Sequence, residues 1–132
     1  MSETNLEILL SSINPELSNM MYVFCTVSEK KFGSLELKPI CVFRESEGVT
    51  LIIEQQQAET AQLEYSGRWS LITCKVNSSL AAVGFLAAMS KVLADDGIPC
   101  NAVSAYYHDH LFVPADRAQD AMRILSRLSG AD

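Results

Sequence analysis

The run His108-Asp109-His110 is the part of this 132-residue sequence that most invites chemistry. Two imidazoles two positions apart share one face of a regular strand, the first requirement for gripping a metal ion. Zinc wants three or four protein ligands, however, and the only third donor nearby is Asp109 itself. A hairpin turn at this point would also break the alternation. The expectation is therefore no metal, with Asp109 shaping the turn and the imidazoles hydrogen-bonded or facing a neighbouring subunit. Nucleophilic chemistry fares no better. Cys25, Cys41, Cys74 and Cys100 are widely spaced, form no Cys-x-x-Cys and sit in apolar, strand-like runs. Such thiols behave as small core hydrophobes, and burial raises their pKa instead of activating them. Ser78 and Ser79 lack the glycine-flanked elbow of a serine nucleophile. Neither glycine pattern that cradles phosphates is present. The reading is a protein with no catalytic residues and no cofactor.

Binding is a better prospect than catalysis. At Val76-Asn77-Ser78-Ser79-Leu80 a strand gives way to a helix. Free backbone N–H groups, the positive end of the helix dipole and flanking hydroxyls together suit a carboxylate. The same residues also serve as an ordinary helix cap, a role for which Asn and Ser are favoured.

Composition limits the class. Hydrophobic residues make up 48% of the chain and charged residues 20%, which excludes a disordered or fibrous protein. Ten Lys and Arg against sixteen Asp and Glu, net −6, argue against a nucleic acid or an anionic membrane as the main partner. The imbalance lies in residues 1–66, where the acids are all Glu; in residues 67–132 they are all Asp and the charges cancel. The N-terminus has no basic region followed by an apolar run, and no apolar stretch reaches the length of a membrane helix. A cytoplasmic protein with reduced thiols is expected.

The elements that must position these residues follow from periodicity. Leu6, Leu9, Leu10 and Ile13 form one helical stripe, stopped at Asn14-Pro15. Residues 21–27 read as a strand, 28–39 as a polar connection, and 40–44 and 49–53 as a hairpin. A weakly amphipathic helix follows over 54–63. The second half opens with a strand over 69–76 and a helix over 80–94, in which Lys91 is the only charge. So apolar a helix should be covered on more than one side. Gly97 suits the left-handed position that ends it, although Asp95 and Asp96 oppose its dipole. A second hairpin spans 99–113 around His108-Asp109-His110. After Pro114 comes a helix with the apolar stripe Ala118, Ala121, Met122, Leu125 and Leu128.

Strand, connection, hairpin and helix thus occur twice, at 21–63 and 69–128. The second copy reads β-α-β-β-α and lacks the closing strand of a β-α-β-β-α-β sheet. The missing strand should be shared, supplied by Met21–Val27 or by a partner chain.

Several runs are similar to the small bacterial proteins built from tandem ACT domains. They are Gly67-Arg68-Trp69-Ser70-Leu71-Ile72-Thr73, Asn77 to Gly84, and Asn101 to Val113 with its Tyr-Tyr-His-Asp-His core. In the first half, Tyr22-Val23-Phe24-Cys25 and Phe43 to Leu51 add to them. The resemblance runs from about Leu6 to Leu128. It implies an α+β, ferredoxin-like fold of tandem βαββαβ units, with antiparallel sheet, helices on one face and strands shared between the halves. It also implies an N-terminal ACT-like half at 1–66 and a C-terminal ACT domain at 67–132. The function implied is non-enzymatic: regulation or sensing through a small, amino-acid-like effector bound between ACT units of a homodimer. ACT domains usually regulate an attached catalytic domain, and this sequence contains none. The alternative is a protein-interaction module that regulates a separate enzyme and has no effector pocket.

Under that resemblance Asn101 and Ala102, at the start of the next strand, would face the Val76–Leu80 junction. The Asn101 amide offers donors and an acceptor for an α-amino group. It could equally satisfy strand-end backbone groups. From the first half, Phe43 and Arg44 would close the pocket. Arg44 could hold a carboxylate bidentately or pair with Glu45 or Glu47 on the surface.

Overall fold

The structure is a computed structural model that describes residues 5–75 and 83–129. In chain order its elements are α1 (Leu6–Ser11), β1 (Pro15–Val27), α2 (Glu29–Ser34), β2 (Cys41–Glu45), β3 (Gly48–Glu54), α3 (Gln55–Thr60), β4 (Trp69–Cys74), α4 (Phe85–Asp95), β5 (Asn101–Ser104), β6 (Asp109–Pro114) and, after a 3₁₀ turn at Ala115–Arg117, α5 (Ala118–Leu128). Two compact units emerge. Met20–Trp69 form one, and the chain before and after that segment forms the other.

The contiguous unit orders its strands β2-β3-β1. β3 is central, antiparallel to β1 with Phe24 opposite Ile52 and to β2 with Phe43 opposite Thr50. Val23, Cys25 and Val27 alternate onto the face that also carries Val49, Leu51 and Ile53. Ala58 of α3 and Phe32 of α2 complete this core. The sequence reading treated 28–39 as connection only, yet α2 forms there. Ser28 caps it, its Oγ accepting from the Lys31 N–H at 3.1 Å. Both repeats therefore read β-α-β-β-α.

The second unit orders its strands β1-β4-β6-β5, with β5 and β6 antiparallel. The strand it was expected to borrow comes from a longer β1 than periodicity indicated. That strand begins at Pro15, and its first residues, up to Asn19, belong to this unit. The Lys75 N–H donates to the Asn14 carbonyl at 3.2 Å, and Lys75 pairs with Glu16 at 3.0 Å. Ile72, Cys74, Leu111 and Val113 present one face to α1, α4 and α5, which bury Leu9, Met89, Leu93, Ala121 and Leu125 against it.

α4 is buried along one stripe only, Phe85, Met89 and Leu93. Leu86 and Val92 beside that stripe are partly buried against the same core, which α1 and α5 also line, while Ala87, Lys91 and Ala94 are exposed. Its C-terminus closes as a Schellman motif: Gly97, at φ 71°, donates to the Ala94 carbonyl and Ile98 to that of Leu93. The two acids at this end are offset locally, Asp95 by Lys91 and Asp96 by Arg117 at 2.7 Å. Among the described residues no helix is long and apolar enough to cross a membrane.

Candidate functional site

The end of the β4–β6 pair gathers the most chemistry. β5 and β6 are joined by a tight turn in which the Ala105 N–H donates to the His108 carbonyl at 3.0 Å, and Ser104 pairs with Asp109. This backbone bond, and not the Asp109 carboxylate, closes the turn. Asp109 is half-buried, and its carboxylate makes no side-chain hydrogen bond or ion pair with the other described residues.

Alternation along β6 sends His110 and Phe112 to the face opposite Leu111 and Val113. There the His110 Nδ1 lies 3.0 Å from the Thr73 Oγ1 of β4. That bond engages Nδ1, so Nε2 is the nitrogen it leaves unengaged. Burial, and secondarily His108, lowers the His110 pKa against an opposing pull from Asp109, so the ring is neutral at neutral pH. The His108 ring is 6.4 Å from it, and the His108 Nδ1 is buried without a hydrogen-bond partner. Tyr107 stands 6.5 Å from His108 and packs edge-on to Tyr106 at 5.0 Å. Both tyrosines are 74% exposed. The result is a row of four rings ending at Thr73. Among the described residues no three His, Cys, Asp or Glu side chains converge as metal ligands.

All four cysteines are free. Cys25 and Cys74 are buried, whereas Cys41 and Cys100 are half-buried and less completely core than their apolar settings indicated. Burial pushes the Cys74 thiol up to about 12, with the Asp109 charge adding to the effect and Cys100 contributing last. Burial likewise raises Cys25 and Cys100. These thiols are protonated at neutral pH and are not activated nucleophiles.

The residues named from sequence fall in different places. Val76, Asn77, Ser78, Ser79 and Leu80 lie outside the described residues. Asn101 and Ala102 open β5, exposed, opposite Phe112 and Leu111 of β6. Phe43 is 67% exposed on β2, in the other unit. Arg44 beside it is already engaged: its Nε is 3.0 Å from Glu29 Oε2, and its guanidinium lies over the Phe32 ring at 5.6 Å. Its acidic partner is thus on α2 and is neither Glu45 nor Glu47. Periodicity did not suggest the Thr73–His110 bond, which joins residues 37 positions apart.

The contiguous unit also carries an open groove of about 210 Å³ between α3 and the segment entering β2. Leu35, Leu37 and Ala61 make it apolar, Glu36 and Thr60 line it too, and none of its lining side chains is cationic. The Gln57 amide clamps one wall, accepting from the Lys38 N–H at 2.8 Å and donating to the Lys38 carbonyl at 3.2 Å. With no cation in the lining, this groove is poorly suited to a carboxylate.

Two ACT-domain profiles match the sequence, one over residues 1–70 and the other over residues 64–127. The chain belongs to the ACT-domain family. No curated protein matches it. Among solved structures, this ACT protein is 46% identical to a protein of unknown function from Vibrio cholerae described as a possible transport protein. That likeness covers 94% of this chain and 95% of the other, with a TM-score of 0.84. A protein from Agrobacterium tumefaciens shares the fold at 17% identity and TM-score 0.70, over 89% of each chain. The ligand-free regulatory subunit of aspartate kinase from Thermus thermophilus shares it at 10% identity and TM-score 0.66, over 88% of this chain and 98% of that one. The ACT fold of this chain is therefore a tandem arrangement also used by regulatory subunits.

Proposed function

We propose that this ACT protein is a non-enzymatic, cytoplasmic regulator that binds a small amino-acid-like effector and acts as a homodimer on a separate enzyme. The observation that carries the reading is the pair of ACT-domain matches over nearly the whole chain, together with the shared fold of an aspartate kinase regulatory subunit. One ACT half is assigned to residues 1–66 and the other to 67–132. The effector's carboxylate is assigned to the Val76–Leu80 junction, with Asn101 and Ala102 beside it. For Phe43 and Arg44 the engagement of the guanidinium with Glu29 reduces the case for a ligand contact.

A thermal-shift panel of the twenty amino acids tests the reading. A ligand that binds only the native state adds about 2.7 kcal/mol at one hundred times its Kd, so the right effector raises Tm in proportion to the logarithm of its concentration. If none of the twenty moves Tm at millimolar levels, the effector reading fails.

A second reading, an interaction module without an effector, is favoured by the exposed Tyr106 and Tyr107, since aromatic residues of this kind anchor protein interfaces. A flat thermal-shift panel with a stable dimer in analytical ultracentrifugation would support it.

A further inference from the structure

We propose that the outer edge of β5 is the surface through which this chain pairs with a second copy of itself, strand against antiparallel strand about a two-fold axis at Val103. The inference rests on the homodimer of the reading above and adds to it the residues that make the contact.

β5 ends the strand order β1-β4-β6-β5, so one of its sides has no strand beside it among the described residues. The register with β6 says which groups that side offers. The Ala105 N–H donates to the His108 carbonyl, which marks 105 and 108 as a pair joined through their main chains. Hydrogen-bonded and non-hydrogen-bonded pairs alternate along an antiparallel ladder. Ser104 lies opposite Asp109, Val103 opposite His110, Ala102 opposite Leu111 and Asn101 opposite Phe112. Asn101 and Val103 therefore turn their N–H and C=O groups toward β6, and Ala102 and Ser104 turn theirs outward. Both outward residues are exposed.

Charge selects the occupant. Native sheets guard open edges with charged residues, and β2, the end strand of the other unit, carries Arg44 and Glu45. Residues 97–108, by contrast, include no Lys, Arg, Asp or Glu. A two-fold axis brings each residue near its own equivalent, so a neutral edge is one that can meet itself without opposing like charges. With the axis at Val103, Ala102 of each copy faces Ser104 of the other, and every outward main-chain group of β5 is satisfied within β5, in four hydrogen bonds. The same register brings Tyr106 and Tyr107, each 74% exposed, alongside Pro99 and Cys100 of the second copy. At roughly 150–250 Å² for a buried aromatic side chain, the four tyrosines of a dimer supply on the order of 500 Å². That is a large share of the roughly 1,200 Å² at which specific interfaces begin.

Two measurements test the surface. Analytical ultracentrifugation at micromolar concentration should find a wild-type dimer, and Ala102→Pro, which removes an outward N–H and leaves the ladder to β6 intact, should weaken it at least tenfold with an unchanged circular dichroism spectrum. Val103→Cys does not depend on that variant's folding. At the two-fold its thiols face each other across a non-hydrogen-bonded pair, at a Cα separation of about 4.5 Å that a disulfide spans. Mild oxidation should therefore give a covalent dimer that neither the wild type nor Phe43→Cys, on the β2 edge, reproduces. A dimer that Ala102→Pro leaves intact and Val103→Cys does not link would overturn the β5 surface and keep the homodimer. A wild type that sediments only as monomer would overturn both, while effector binding is still read independently by the thermal-shift panel.

Discussion

Thr73 and His110 are tied across β4 and β6, Oγ1 to Nδ1 at 3.0 Å. The bond fixes the orientation of an imidazole whose burial already keeps it neutral. Folded His110 thus has a lower pKa than the roughly 6.5 of a free imidazole. Because the unfolded chain then binds the proton more readily, His110 adds stability above its unfolded pKa and loses it as pH falls through 6.5 toward the folded value. The imidazole C2–H signal of His110 should titrate below 6.5, and Tm should fall from pH 7 to pH 5 less steeply in His110→Gln than in the wild type. A His110 titration above 6.5 would contradict this.

Thr73→Val keeps the shape of the side chain and removes the hydroxyl. It leaves a partly buried ring nitrogen unpartnered, at an expected cost of about 1–3 kcal/mol in denaturant unfolding. Thr73→Ser, which keeps the hydroxyl, should recover most of the loss.

The thiols give a direct readout of burial. At pH 8 without denaturant, DTNB should leave Cys25 and Cys74 unreacted, since both are buried with raised pKa. All four should react in guanidinium. Mass spectrometry of the labelled peptides assigns the sites, and rapid native labelling of Cys74 would contradict the packing around β4.

Leu93→Ala should be severe and Gly97→Ala mild, although the two residues belong to one helix end. Leu93 is fully buried and meets Ile98 through the Schellman closure, so truncation should cost about 2–5 kcal/mol. A Cβ on Gly97 would meet nothing within 4 Å, and only its left-handed backbone resists, at about 1–2 kcal/mol. Urea unfolding of the two variants checks the order.

Glu29→Gln should change little. Its bond to Arg44 joins side chains that are 61% and 62% exposed, and such pairs are worth about 1 kcal/mol or less. A loss above about 2 kcal/mol would show that the Arg44–Phe32 contact depends on the pair.

What the sequence revealed depended on how local the signal was. The Gly97 stop was legible and is realised; of the stripe Leu6, Leu9, Leu10 and Ile13, Leu9 and Ile13 are buried, Leu10 is half-buried and Leu6 is exposed, and of the last helix's stripe Ala118, Ala121 and Leu125 are buried while Met122 and Leu128 are half-buried. α2 was not legible, since Glu29, Lys30, Lys31, Gly33 and Ser34 surround a single apolar Phe32 and only the Ser28 cap marks the start. The beginning of β1 was hidden too: Pro15, Glu16, Ser18 and Asn19 have little strand preference, and pairing with β4 overrides it. At the candidate site the residue types of His108, Asp109 and His110 drew attention. The partner of His110 did not, because Thr73 comes from a strand 37 positions away in sequence.

β1 has a consequence for the order of assembly. The unit of Met20–Trp69 is one continuous segment, so on the ribosome its contacts can close as soon as Trp69 has emerged. The other unit joins the chain before Met20 to strands that begin some fifty residues later, and it must wait for β4, β5 and β6. Its early residues, among them Leu9, Ile13 and Leu17, remain solvent-exposed until then. This unit carries the long-range loop closure that slows folding. The nascent chain therefore passes through a stage in which one end of a single strand is already paired while the other still has no neighbour.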